Sequence, residues 1–134
     1  MDRQKPVALV VDDQTDLRIL VSAMLEQEGF DTIEGKNAEE AVSLAVMEHP
    51  DVVVLDVMMP GKDGFEAYRE IREDFRTTTI PVIMLTAVNE HDLGRYHTAE
   101  SMGEHLGVPA PEAFIDKPIE PQTMHKVIAE VVGN

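Results

Sequence analysis

Val52-Val53-Val54-Leu55-Asp56-Val57-Met58-Met59-Pro60-Gly61-Lys62-Asp63-Gly64 is the stretch whose reading decides the fold. Four apolar residues in a row, three of them β-branched, suit a short strand buried on both faces of a parallel sheet. The run ends on a carboxylate, Asp56. Pro60-Gly61 and Gly64 then let the chain turn tightly. Asp63 with Glu66 three residues on makes a capping box for a following helix, expected to carry Ile71 and Phe75. Strand, acid, turn and helix thus follow one another within a few residues.

The same alternation extends in both directions. Further strands are expected at Val7 to Val11, near Thr32 to Glu34, at Pro81 to Leu85 and around Ala113 to Asp116. Between the first two, Leu17, Leu20, Val21, Met24 and Leu25 recur at helical spacing as one apolar stripe, with Gly29 placed to stop the helix. Asn37 and Glu40 form a second capping box, ahead of a face made by Ala41, Leu44 and Ala45. Met124, Val127, Ile128 and Val131 define the last helix. Strand and helix alternating five times imply right-handed crossovers: an α/β fold with a doubly wound, five-stranded parallel sheet flanked by helices on both faces. No internal linker or repeat interrupts the pattern, so residues 1–134 read as a single domain.

Composition narrows the function classes. The 134 residues are 43% hydrophobic, enough for one globular core. Without cysteine there is no disulfide, thiolate metal site or cysteine nucleophile. Apolar runs are too short to span a bilayer and no secretory signal opens the chain, so a soluble cytoplasmic protein is expected. Eleven basic against 26 acidic residues leave a net charge of −15, which repels phosphate backbones and argues against direct nucleic-acid binding.

The acids that matter lie at strand carboxyl ends, where ligands bind in open α/β sheets. Asp12 and Asp13 follow the first strand, Asp56 ends the third, Thr86 the fourth, and Lys117 follows the fifth. Singly, each has an ordinary explanation: a cap, a β-branched strand residue, a solvated lysine. Those explanations fail jointly, since they do not account for all five falling at one edge. Crowded carboxylates favour a hard cation with oxygen ligands, and a lysine and a hydroxyl supply donors for an anion. Together they describe a site for Mg²⁺ and a phosphoryl group.

Val10-Val11-Asp12-Asp13, the Asp56 stretch, Met84-Leu85-Thr86-Ala87 and Asp116-Lys117-Pro118 resemble, in order and over the whole chain, the receiver domains of two-component response regulators. The resemblance implies a (βα)5 flavodoxin-like fold and a phosphoacceptor signalling domain rather than a turnover enzyme. Asp56 would take a phosphoryl group from a sensor histidine kinase or a histidine phosphotransfer protein. Asp13, Asp56 and the Met58 backbone carbonyl would hold Mg²⁺, with Asp12 acting through water. Thr86 and Lys117 would bind the phosphoryl oxygens, Phe114 would be the aromatic that changes exposure with Thr86, and Lys117-Pro118 would be a cis peptide. A downstream protein target and a homodimer on activation are further implied partners, with neither membrane nor nucleic acid. An aspartyl-nucleophile phosphohydrolase needs an acid two residues beyond the nucleophile, and that position is Met58.

Other signals are weaker. The stretch between Thr86 and Lys117 is long for a receiver, with Gly94, Gly103 and Gly107 inside it, so an extended or broken fourth helix is expected. Asn89 to Pro111 should be the most mobile part of the domain. His91, His97 and His105 read as structural histidines rather than metal ligands. Arg69, Arg72 and Arg76, alternating with Glu66, Glu70 and Glu73, read as a salt-bridged solvated helix face. The resemblance implies that Met58 and Val88 would flank the water path to phosphorus. Since neither can orient a water or accept its proton, slow self-dephosphorylation is expected. The chain ends just after the last helix, which fits either a natural stop or a domain cut from a longer protein.

Overall fold

The computed structural model describes residues 4–57, 64–87 and 107–133. In chain order these form β1 (Val7–Val11), α1 (Thr15–Gln27), β2 (Asp31–Gly35), α2 (Ala38–Glu48), β3 (Val52–Asp56), α3 (Gly64–Glu73), β4 (Val82–Ala87), β5 (Ala113–Lys117) and α4 (Pro121–Ile128), the last widening into a π turn over Ala129–Gly133. The strands make one parallel sheet in the order β2-β1-β3-β4-β5. The order reverses between β1 and β3, so the carboxyl ends carrying Asp12 and Asp56 straddle the switch point.

Side chains alternate between faces along a strand, and this divides the core in two. Leu9, Val11, Val53, Leu55, Val82 and Met84 pack against Ala38, Ala41 and Ala45 of α2 and Phe65, Tyr68 and Ile71 of α3. Ala8, Val10, Val52, Val54, Ile83, Leu85 and Ile115 pack against Val21, Met24 and Leu25 of α1 and Met124 and Ile128 of α4. Burial on both faces explains the unbroken apolar runs. At about 25 cal/mol per Å² of apolar surface removed from water, these layers supply the main drive to fold.

Local signals act largely as expected. Asn37 Oδ1 accepts the Glu40 amide at 2.8 Å. Glu40 Oε1 accepts from the Lys36 amide at 2.8 Å, one residue before the usual capping-box partner. Gly29 has φ +95° and ends α1, while α2 ends on the non-glycine His49 at φ 47°. Gly107 is also left-handed, at φ +76°.

Three expectations are corrected. Leu20 is 47% exposed, because Arg18 and Ser22 take part of the inward arc of α1. Phe75 lies beyond the end of α3 and is 88% exposed. Arg72 is buried rather than solvated. Its Nε donates to Tyr68 Oη (3.1 Å), its Nη1 to the Thr78 and Ile80 carbonyls (3.2 and 2.7 Å), and its Nη2 to Glu112 (2.5 Å). The guanidinium carbon lies 4.9 Å from the Tyr68 ring centroid, and burial raises the Tyr68 phenol to about 12. Arg76 makes an exposed pair, with Asp74 at 2.7 Å rather than with one of the glutamates.

Asp63, the helix expected between Thr86 and Lys117, Gly94, Gly103 and the three histidines lie outside the described residues, as does most of the Asn89–Pro111 stretch. Among the described residues no helix is long and apolar enough to cross a membrane.

Candidate functional site

Two sheet-derived turns build the floor of the site. The Asp12 amide donates to the Gly35 carbonyl (3.2 Å), carrying the β1–β2 pairing one residue past the strand. Asp12 Oδ1 then accepts the Gln14 amide at 2.9 Å, fixing the carboxylate in a tight turn. On the other side of the switch point, the Val57 amide donates to the Leu85 carbonyl (3.2 Å), and the Val57 carbonyl accepts the Gly64 amide (3.0 Å). A Cβ on Gly64 would overlap the Asp56 carbonyl oxygen and lie 2.6 Å from Val57 Cα. Glycine is therefore needed there for close approach to the backbone of Asp56, a reason distinct from the tight turn expected of it.

Carboxylate oxygens of Asp12, Asp13 and Asp56 lie within 4.8 Å of one another. Asp12 is fully buried, Asp56 nearly so, and Asp13 is exposed. Lys117 Nζ donates to Asp56 Oδ1 at 3.1 Å and answers one of the three charges. Burial pushes the Asp12 carboxyl above its ordinary range, with Asp13 adding to the shift and the Gln14 amide and Lys117 opposing it. Asp12 Oδ2 is buried without a hydrogen-bond partner. Its neighbouring carboxylate on Asp56 could pair with it only by sharing a proton. An orphaned buried oxygen amid three acids is what a hard divalent cation would satisfy, so the residues fit Mg²⁺. Met58, expected to add a carbonyl ligand, lies outside the described residues, as does Val88.

Behind the acids stands a brace that no sequence motif announces. Arg18 Nη1 donates to the Asp12 carbonyl at 2.8 Å, and Arg18 Nε to Glu34 Oε1 at 2.9 Å. Ser22 Oγ reaches Glu34 Oε2 at 3.4 Å. The only clue was an arginine one residue after Leu17, within the arc that α1 turns inward.

The remaining expected residues divide by strand phase. Asp12, Asp56 and Lys117 continue the α1/α4 side of the sheet, in step with Val10, Val54 and Ile115. Thr86 continues the α2/α3 side, in step with Met84, and its hydroxyl donates to Asp116 Oδ1 at 2.8 Å. Phe114, half-buried, pairs with Met84 two residues upstream on that side. The Lys117–Pro118 peptide is cis. Three carboxylates and an ammonium thus meet at one sheet edge, with a hydroxyl held just beside them.

The family model for the response regulator receiver domain matches residues 8–129. The chain belongs to that family. This receiver domain is 34% identical over 125 residues to the protein PilH of Pseudomonas aeruginosa, covering 93% of this chain and 96% of PilH. It is also 34% identical to the phosphate regulon transcriptional regulatory protein PhoB of the same organism, over 87% of this chain but 47% of PhoB. The receiver domain thus spans about half the length of that relative. Its backbone matches the receiver domain of a Pseudomonas aeruginosa sensor histidine kinase, solved with magnesium coordinated in the active-site cleft, with a TM-score of 0.79. That match covers 97% of this chain and 99% of the other at 22% identity, a likeness of fold.

Proposed function

We propose that this receiver domain is a Mg²⁺-dependent phosphoacceptor switch whose phosphorylated residue is Asp56. The observation that carries the reading is the meeting of Asp12, Asp13 and Asp56 within 4.8 Å, with Lys117 bonded to Asp56. Asp13, Asp56 and the Met58 carbonyl would hold the cation directly, and Asp12 through water. When bound, Mg²⁺ neutralises charge on the transferring phosphoryl oxygens.

An Asp56 carboxylate oxygen attacks the phosphorus of a phosphohistidine on a kinase or phosphotransfer protein. The new O–P bond forms as the P–N bond breaks, and the electron pair of that bond leaves with the imidazole. The transition state is loose, so the chain's contribution is positioning and charge balance. Lys117, already on Asp56, pairs with the incoming phosphoryl oxygens, and Thr86 turns its hydroxyl to them. Those bonds exist only in the phosphorylated state, which is what allows phosphorylation to shift a conformational equilibrium. Phe114, beside Met84 on the same side as Thr86, carries the change outward to a protein target. In this reading the protein works in the cytoplasm as one domain, and its acidic surface keeps it off nucleic acid. A homodimer on activation remains part of the proposal.

Acetyl phosphate with Mg²⁺ should add one phosphoryl group to the wild type, seen by intact mass, and none to Asp56→Asn with an unchanged circular dichroism spectrum. Full labelling of Asp56→Asn would overturn the assignment.

A further inference from the structure

The hydroxyl of Thr86 already has a strong acceptor. It donates to Asp116 Oδ1 at 2.8 Å, across the directly registered pair Thr86↔Asp116, the last but one of the β4–β5 ladder. Thr86 is 3% exposed, whereas Asp116 faces solvent at the strand end. A threonine hydroxyl has one proton to donate. Its β-branched side chain occupies discrete staggered positions, so the hydroxyl moves by a rotamer jump rather than by drifting. Strand phase sets that jump apart further, because Asp116 and Thr86 share the α2/α3 side while Asp56 and Lys117 continue the other.

We infer that Asp116 is a positioning residue that latches Thr86 away from Asp56 in the unphosphorylated state and so opposes phosphoryl binding at the site. This rests on the phosphoacceptor reading above. A phosphoryl group on Asp56 must win the Thr86 proton from a charged acceptor, and hydrogen bonds to charged groups are the stronger ones. The latch therefore lowers the fraction of the domain that is ready for phosphoryl, and with it the apparent affinity. Releasing the latch should favour the activated arrangement without touching any group that contacts phosphorus. Asp116→Asn keeps an oxygen that can accept the hydroxyl but removes its charge, so it should fall between wild type and Asp116→Ala.

The test is half-saturation by beryllofluoride, a phosphoryl mimic, with Mg²⁺ present, followed in every variant by the amide resonance at position 86. Asp116→Ala should bind roughly threefold to tenfold more tightly than wild type, with Asp116→Asn between them. Loss of a nearby negative charge could by itself favour an anion, and a double-mutant cycle separates the two causes. In a Thr86→Ala background the Asp116→Ala substitution should have no effect, because there is no hydroxyl to release. An undiminished gain in that background would overturn the latch, as would equal affinity of wild type and Asp116→Ala. Absence of any beryllofluoride binding by wild type, together with no acetyl phosphate labelling, would instead bring down the phosphoacceptor reading and the latch with it.

Discussion

Around Arg72 each side-chain nitrogen has a matched acceptor, whereas around Asp12 three carboxylates crowd together and one of them, Asp56, pairs with Lys117. Both clusters lie at the margin of the same sheet and both take charge out of water. At Arg72, the Tyr68 hydroxyl, two backbone carbonyls and Glu112 satisfy the guanidinium, and Glu112 also accepts the Val82 amide at 2.7 Å. Tyr68 passes the chain of bonds on to the Pro109 carbonyl at 2.5 Å. The result ties α3 to β4 and to the segment leading into β5. At Asp12 an oxygen stays buried without a partner and the carboxyl is pushed upward. A satisfied cluster contributes rigidity, while an unsatisfied one holds chemical potential for a ligand. The difference separates buried charges that serve the fold from those that the proposed function assigns to binding.

The largest expected effect breaks the satisfied side. Arg72→Ala should lower unfolding free energy by about 3 kcal/mol, because it strands Glu112, Tyr68 and two carbonyls together. Urea denaturation checks this. Mg²⁺ affinity, measured well below the transition, should stay within about twofold of wild type. A large loss of affinity in that variant would erase the distinction between the clusters.

The unsatisfied side should respond in the opposite sense. Asp13→Ala removes an exposed carboxylate that holds no hydrogen bond among the described residues, so stability should hold within about 0.5 kcal/mol. Its Mg²⁺ affinity should fall at least about tenfold, since a hard cation loses one of its few charged ligands. Calorimetric titration gives the number, and an unchanged affinity would remove Asp13 from the site.

Much of the acidic cluster was legible in the sequence because its members sit at or just past the end of a short apolar run. The strand periodicity that places Val10, Val54 and Met84 inside also places Asp12, Asp56 and Thr86 at the edge. The fold cluster was not legible for an equally physical reason. Arg69, Arg72 and Arg76 alternate with glutamates at spacings that look alike on a solvated helix and a buried one. Only the packing of α3 between its neighbours, with Gly64, Phe65, Ala67, Tyr68, Ile71 and Arg72 all buried, decides between them. The same limit hid Arg18 and exposed Leu20, because the arc of α1 that faces Glu34 depends on β2. Asp116 was visible as part of Asp116-Lys117-Pro118, but its role depends on the cross-strand register with Thr86, which sequence spacing does not contain.

A smaller effect concerns pH. The folded-state pKa of Asp12 lies above its unfolded value of 3.8, so within that window the fold binds a proton the unfolded chain does not. Stability from this group therefore rises as pH falls toward 3.8 and changes no further below it. Asp74 runs the other way: hydrogen bonds from Arg76 lower it to about 2, so its contribution is present above 3.8 and is lost as pH falls from 3.8 toward 2. In metal-free buffer the stability difference between wild type and Asp12→Asn should shrink on acidification from neutral toward pH 4, as read from melts at each pH. A difference that grows instead would reverse the sign assigned to Asp12.

The most direct measurement compares the unfolding free energies of wild type and Asp12→Asn at neutral pH, first with chelator and then with Mg²⁺. If the acidic cluster is held at an electrostatic cost for a cation, Asp12→Asn should be more stable without metal, by about 0.5–2 kcal/mol. Saturating Mg²⁺ should then stabilise wild type by about 2.7 kcal/mol at a hundredfold excess over Kd, and the variant by clearly less, so that the gap closes or inverts. An Asp12→Asn protein less stable than wild type in chelator, with the same gain from Mg²⁺, would contradict a cation site built on these three carboxylates.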